Sequence, residues 1–155
     1  MKFLVFSDSH EYTNGMDRAI ESHKDIKHII HCGDVEADVS YLEYVYGATH
    51  SICAVCGNND YAKENPFSRI IPVKGHRIYV SHGHKEHVKQ TTYTIAQIAS
   101  NEKCDVAIFG HTHTQYNETK NGFILLNPGS IGYFRHEYAI LEVQKDKVYI
   151  QLKKI

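Results

Sequence analysis

Through the first half of the chain short apolar runs alternate with longer amphipathic stretches. This predicts strands over 2–6, 27–31 and 50–55, with helices over 16–23 and 37–46 between them. Such strand, helix, strand repetition is how parallel strands are joined, so a parallel arrangement is expected there. After Pro66 the pattern changes to paired strands at 69–73 and 76–81, with Lys74-Gly75 as the turn signal of a hairpin. A helix over 88–101 and a strand over 105–109 follow. Then come only short strands near 115–118, 123–126, 138–143 and 147–152, separated by turns at Asn121-Gly122 and Asp146. The second half is mostly β. Two mixed sheets packed face to face, with helices on the outer faces, would bury both sides of each apolar strand, which makes the chain an α/β sandwich. No repeat, low-complexity tract or linker-like stretch interrupts it, so 1–155 is expected to be a single domain.

Composition narrows the function. With 155 residues, 42% of them hydrophobic, the chain is long enough for one core. A formal net charge of -1 and the lack of a basic stripe argue against nucleic acid as a stable partner. Phe3 to Phe6 is too short an apolar run for a signal peptide, and no run reaches the roughly 20 residues of a membrane span. A soluble, cytoplasmic protein without a membrane partner is expected. Cys32, Cys53, Cys56 and Cys104 sit in or beside apolar runs and read as buried free thiols. The Cys53-x-x-Cys56 spacing falls on a strand, where positions three apart face opposite ways. The 12 histidines stand out beside 17 Lys plus Arg, and their placement matters more than their number.

Five apolar strands each end in a short segment of Gly and metal-ligand residue types. The segments are Phe6-Ser7-Asp8-Ser9-His10, Cys32-Gly33-Asp34, Cys56-Gly57-Asn58-Asn59-Asp60, Ser81-His82-Gly83-His84 and Phe109-Gly110-His111-Thr112-His113. Sites in sheet proteins gather beyond the carboxyl ends of strands, where loops converge, so these five can meet. Carboxylates, an amide and imidazoles suit hard or borderline cations. Each segment alone is a common turn or helix cap. Five in series are far more specific.

The ordered set D-x-H, G-D, G-N-x-D, H-G-H, G-H-T-H resembles the calcineurin-like metallophosphoesterase family, and the short chain resembles its small YfcE-type phosphodiesterase branch. The resemblance runs from Asp8 to Asn127-Pro128-Gly129-Ser130. It implies the family's four-layer αββα fold and two divalent metal ions per chain, with manganese the first candidate and iron, zinc, nickel, cobalt or magnesium the others. One ion would be held by Asp8, His10, Asp34 and His113, the second by Asp34, Asn58, His82 and His111, with Asp34 bridging. The implied reaction is attack of a bridging hydroxide on the phosphorus of a small phosphate ester. It also leaves room for a homodimer or homotetramer.

Three further residues are assigned to the reaction. Asn59 occupies the place where many larger relatives carry a His thought to protonate the leaving group, and an amide cannot give up that proton. His84 is the available substitute, as phosphate contact or acid. Asp60 is expected to fix an imidazole, since metal-bound His usually donates its other N–H to a carboxylate or carbonyl. His31 reads as a packed core histidine, and Arg135 as a candidate phosphate contact. Two alternatives to the phosphodiesterase remain. One is a non-catalytic scaffold, the use made of this fold by a eukaryotic retromer subunit; the other is a nuclease.

Overall fold

The computed structural model describes residues 1–61 and 64–155. Among the described residues ten strands and three helices follow in the order β1 (Lys2–Phe6), α1 (Thr13–Ser22), β2 (His28–His31), α2 (Glu36–Tyr46), β3 (Ser51–Ala54), β4 (Ser68–Val73), β5 (His76–Ser81), α3 (Tyr93–Asn101), β6 (Val106–Ile108), β7 (Gln115–Lys120), β8 (Phe123–Pro128), β9 (Glu137–Val143) and β10 (Val148–Lys154). They form two five-stranded sheets, β10-β9-β1-β2-β3 and β4-β5-β6-β8-β7. Both sheets are mixed. β1, β2 and β3 run parallel, as do β5, β6 and β8, while β9, β10, β4 and β7 pair antiparallel.

Strand periodicity explains the layers. In β1, Phe3 and Val5 point between the sheets, and Leu4 and Phe6 point outward beneath α1 and α2. In β6 and just beyond it, Val106 and Ile108 face the other sheet, whereas Ala107 and Phe109 face α3 with Ile95 and Ala99. Met16, Ala19, Ile20 and Leu42 supply the apolar stripes that α1 and α2 lay on the first sheet. The result is four layers, helix, sheet, sheet, helix. Among the described residues no helix is long and apolar enough to cross a membrane.

Two helices begin elsewhere than periodicity predicts. α1 starts at Thr13, a turn earlier than expected. α3 starts only at Tyr93, because the segment before it winds through separate turns: Val88 donates its N–H to the Gly83 carbonyl, Gln90 to that of His87, and the Tyr93 amide bonds the Thr91 hydroxyl. Val88 still packs against the α3 layer, which is why its apolar spacing mimics helix. All four cysteines are free thiols.

Candidate metal centre

Parallel order at the centre of each sheet brings several strand ends to one place. The loops after β1, β2 and β3 leave neighbouring strands of the first sheet, and those after β5 and β6 leave neighbouring strands of the second. Their backbones are held in unusual conformations. Asp8, His10, Asp34, His111 and His113 all have positive φ, from 48° to 74°. Side chains rarely adopt this region, and such strain concentrates where packing imposes it at functional sites. Close approach imposes it here. A Cβ on Gly110 would lie 1.8 Å from Ser7 Oγ, and one on Gly57 would lie 2.6 Å from the Asp34 amide nitrogen.

The first cluster joins Asp8, His10, Asp34 and His113, whose ligand atoms lie within 4.8 Å of one another. His10 Nε2 sits 3.3 Å from His113 Nε2 and 3.8 Å from Asp34 Oδ2; His113 Nε2 is 3.1 Å from Asp8 Oδ1. Asp8 and Asp34 are buried, while the two imidazoles are partly open to solvent. The second cluster joins His82, Asn58 and His111. His82 Nε2 lies 3.0 Å from Asn58 Oδ1 and 3.2 Å from His111 Nδ1. It is also 3.9 Å from Asp8 Oδ1, which places the two clusters side by side.

Contacts behind the ligands aim them. His82 Nδ1 lies 2.9 Å from the Cys32 carbonyl, which can only accept. That nitrogen therefore carries the proton, and Nε2 presents its lone pair to Asn58 and His111. Asp8 Oδ2 accepts from the Ser7 hydroxyl at 2.6 Å and the His111 amide at 3.0 Å, and Ser130 donates to the Asp8 carbonyl at 2.7 Å. Asn127 donates to the Gly110 carbonyl and bonds Thr112, tying the end of β8 to the loop that carries His111 and His113.

Asn59 and Asp60 both hold the Asp34 loop. The Asn59 side chain is occupied by Asp34, so it clasps a carboxylate rather than facing a leaving group. Asp60 contacts backbone instead of an imidazole: it accepts from the amides of Gly57 and Asp34, pinning the β2 and β3 loops together. The carbonyl of Cys32 takes the part expected of Asp60 toward His82. His84 stands beside the second cluster, its ring 5.5 Å from that of His82 and 6.2 Å from that of His111. Its Nδ1 is buried and has no hydrogen-bond partner among the described residues.

His31 is fully buried. Its Nδ1 accepts from the Gly33 amide, so Nε2 carries the proton and donates to Ser9 Oγ at 3.2 Å; that hydroxyl donates to Asp38 Oδ2 at 2.6 Å. Asp38 also accepts from the Glu11 amide. This chain anchors the strained loop of His10 to α2, and motif spacing missed it. The available signal was a carboxylate on the buried stripe of α2 beside Val39 and Leu42.

The electrostatics follow from burial and crowding. Burial pushes Asp8 up, but the close His113 imidazole, His82 and the Ser7 hydroxyl more than offset it, and the carboxyl sits below its usual range. His113 is raised by its contact with Asp8, against an opposing effect of burial. His111 is pushed down to about 4, by burial first and then by His82 and Lys89. His84 is lowered for the same leading reason, with His82 next. The donor set fits a cation. Asp8 Oδ1 is buried without an aligned hydrogen-bond donor, yet imidazole nitrogens stand 3.1 Å and 3.9 Å away. Carboxylate and imidazole lone pairs converging on one point are what a bound cation relieves.

An αββα sandwich with Asp, His and Asn side chains gathered at its strand ends defines the class: a four-layer fold with a candidate metal site where its two sheets meet. The calcineurin-like phosphoesterase superfamily domain matches residues 1–146, and the chain belongs to that family. It is 31% identical to the probable metallophosphoesterase YsnB of Bacillus subtilis, covering 97% of this chain and 89% of that protein. Identity to the phosphodiesterase MJ0936 of Methanocaldococcus jannaschii is 27%, over 83% of each chain. The fold is similar to that of wild-type Vps29 of Entamoeba histolytica complexed with Zn2+, with a TM-score of 0.79, 18% identity and coverage of 100% of this chain and 98% of that one.

Proposed function

We propose that this chain is a metal-dependent phosphodiesterase using two divalent cations, with manganese the first candidate. The observation that carries the reading is the contiguity of two donor clusters, Asp8/His10/Asp34/His113 and Asn58/His82/His111, across the 3.9 Å gap between Asp8 and His82. Asp34 is proposed to serve both ions, a task for a carboxylate because one anionic group must neutralise charge on two cations. The phosphodiesterase assignment draws support from the relative of that name in Methanocaldococcus jannaschii. The near-neutral net charge favours a small ester over a polyanion.

When bound, such cations supply Lewis acidity: they bring water toward ionisation at neutral pH and neutralise charge on the phosphoryl oxygens. The chain's own residues supply orientation. Cys32 fixes the His82 tautomer, Asn59 fixes the plane of the Asp34 carboxylate, and Ser7 and the His111 amide fix that of Asp8. His84 is proposed to contact the phosphoryl or leaving oxygen, because its ring stands at the edge of the second cluster, 5.5 Å from that of His82 and 6.2 Å from that of His111.

The deciding experiment combines hydrolysis of bis-p-nitrophenyl phosphate with metal analysis. Activity should vanish on chelation and return with manganese, and Asp34→Asn should lose nearly all turnover together with bound metal. A wild-type chain that takes up no divalent ion at adequate supply would instead be a scaffold on this fold. Full activity in the Asn variant would refute the bridging role.

A further inference from the structure

The loop between β8 and β9 carries an aromatic shelf that the metal chemistry does not use. Tyr133 is 66% exposed and Phe134 93% exposed, two large rings adjacent in the chain and open to solvent. They are not on a loose loop. Ser130 bonds the Asp8 carbonyl, the Ile131 amide bonds the Ser7 carbonyl, and the amides of Arg135 and His136 both return to the Gly132 carbonyl. Rings then brace one another. Tyr12 meets Tyr133 edge-on at 5.5 Å and His136 at 5.3 Å, and Tyr133 meets Phe134 at 5.4 Å and 85°. Loop and metal site share one cleft of about 370 Å³, lined by His10, His113 and Ser130 on one side and Tyr133, Phe134 and Arg135 on the other. Among the described residues no carboxylate pairs with the Arg135 guanidinium.

A rigid exposed ring beside a phosphate-handling site is a stacking platform, because a planar π-face binds a planar partner with little loss of conformational freedom. The shelf adjoins His10 and His113, while His84 adjoins His82 and His111 at the other end of the ligand array. We infer that Tyr133 and Phe134 bind the retained group of the diester when that group is a planar aromatic ring, whether the base of a nucleoside or a simple aryl group. The inference rests on the phosphodiesterase reading and deepens it. Arg135, next to the shelf, supplies a cation to the anionic ester that the ring carries in.

The test uses three diesters with the same p-nitrophenol leaving group and different retained groups: phenyl, cyclohexyl and thymidine-5′. Phenyl and cyclohexyl match in size and differ in planarity. KM should be severalfold lower for the phenyl and thymidine esters than for cyclohexyl. A thymidine ester better than phenyl marks the nucleoside as the source, and equal values mark any aryl group. Phe134→Ala should raise KM for the two ring-bearing esters by about tenfold, one stacked ring's worth, and bring the phenyl-to-cyclohexyl ratio toward one. Tyr44→Ala, which removes a side chain 91% exposed on α2, is the control and should change nothing. Equal KM for phenyl and cyclohexyl, unaltered in Phe134→Ala, would overturn the shelf. Titration with phenylphosphonate and cyclohexylphosphonate, which have no ester bond to hydrolyse, makes the same comparison without turnover. A chain that hydrolyses none of the three diesters therefore sinks the phosphodiesterase reading, and the titration still decides the shelf.

Discussion

Asn59 grips both oxygens of Asp34: its backbone N–H donates to Oδ1 at 2.9 Å and its side-chain amide to Oδ2 at 2.8 Å. A carboxylate oxygen has two lone pairs, so each keeps one directed into the site. Asn59→Ala removes the side-chain half of the grip. Because partners behind a ligand tune its affinity, the variant should bind manganese about 10- to 100-fold more weakly, with turnover recovering at high metal. Competition with a calibrated chelator measures this; undiminished affinity would mean that the clasp is incidental.

Gly110 is required by space. A methyl group there would overlap Ser7 Oγ and come within 2.8 Å of Asp8 Oδ2. Gly110→Ala should therefore cost about 1–3 kcal/mol of stability, in the range of overpacked sites, and should displace Asp8 as well. Denaturant unfolding reports the first effect and metal content the second. A variant with wild-type stability and metal would show that the two loops separate easily.

His84 stands beside the second cluster without being one of its proposed ligands. If it supplies a proton to the leaving oxygen, His84→Ala should slow esters of poor leaving groups more than nitrophenyl esters, which leave without assistance. Rates across a series of substituted phenyl esters give the slope. A uniform loss across the series would assign His84 to phosphate binding.

Buried His31 makes stability depend on pH. Burial holds its pKa below the ordinary 6.5, so between that value and its lowered native pKa the unfolded chain binds more protons than the folded one. Stability from this residue is present above about pH 6.5 and declines as the pH falls below it. In the presence of chelator, denaturation midpoints at pH 7.5 and 5.5 should differ more for the wild type than for His31→Gln. Equal differences would locate the acid sensitivity elsewhere.

Much of the fold was legible because strand registers advertise themselves locally. Phe3 to Phe6 reads as a strand buried on both faces, and Lys74-Gly75 as a hairpin turn, with φ positive at both residues. The start of α3 was not legible, because Val88 is anchored to the same layer by turns, and apolar spacing alone cannot distinguish the two. Asn59 shows the same limit in the site. Its residue type excluded a proton donor, but only the approach of two loops revealed what its amide holds.

By itself the sequence determined the chemistry of the donor set and its position after strand ends, since both are written in residue type and local periodicity. The tertiary structure decided pairing and aim. His111 reaches Asp8 across 103 positions, Ser130 reaches it across 122, and the proton on His82 is placed by a carbonyl 50 residues away. Nothing local specifies such contacts, because they depend on how two sheets, each with parallel strands at its centre, meet at one end.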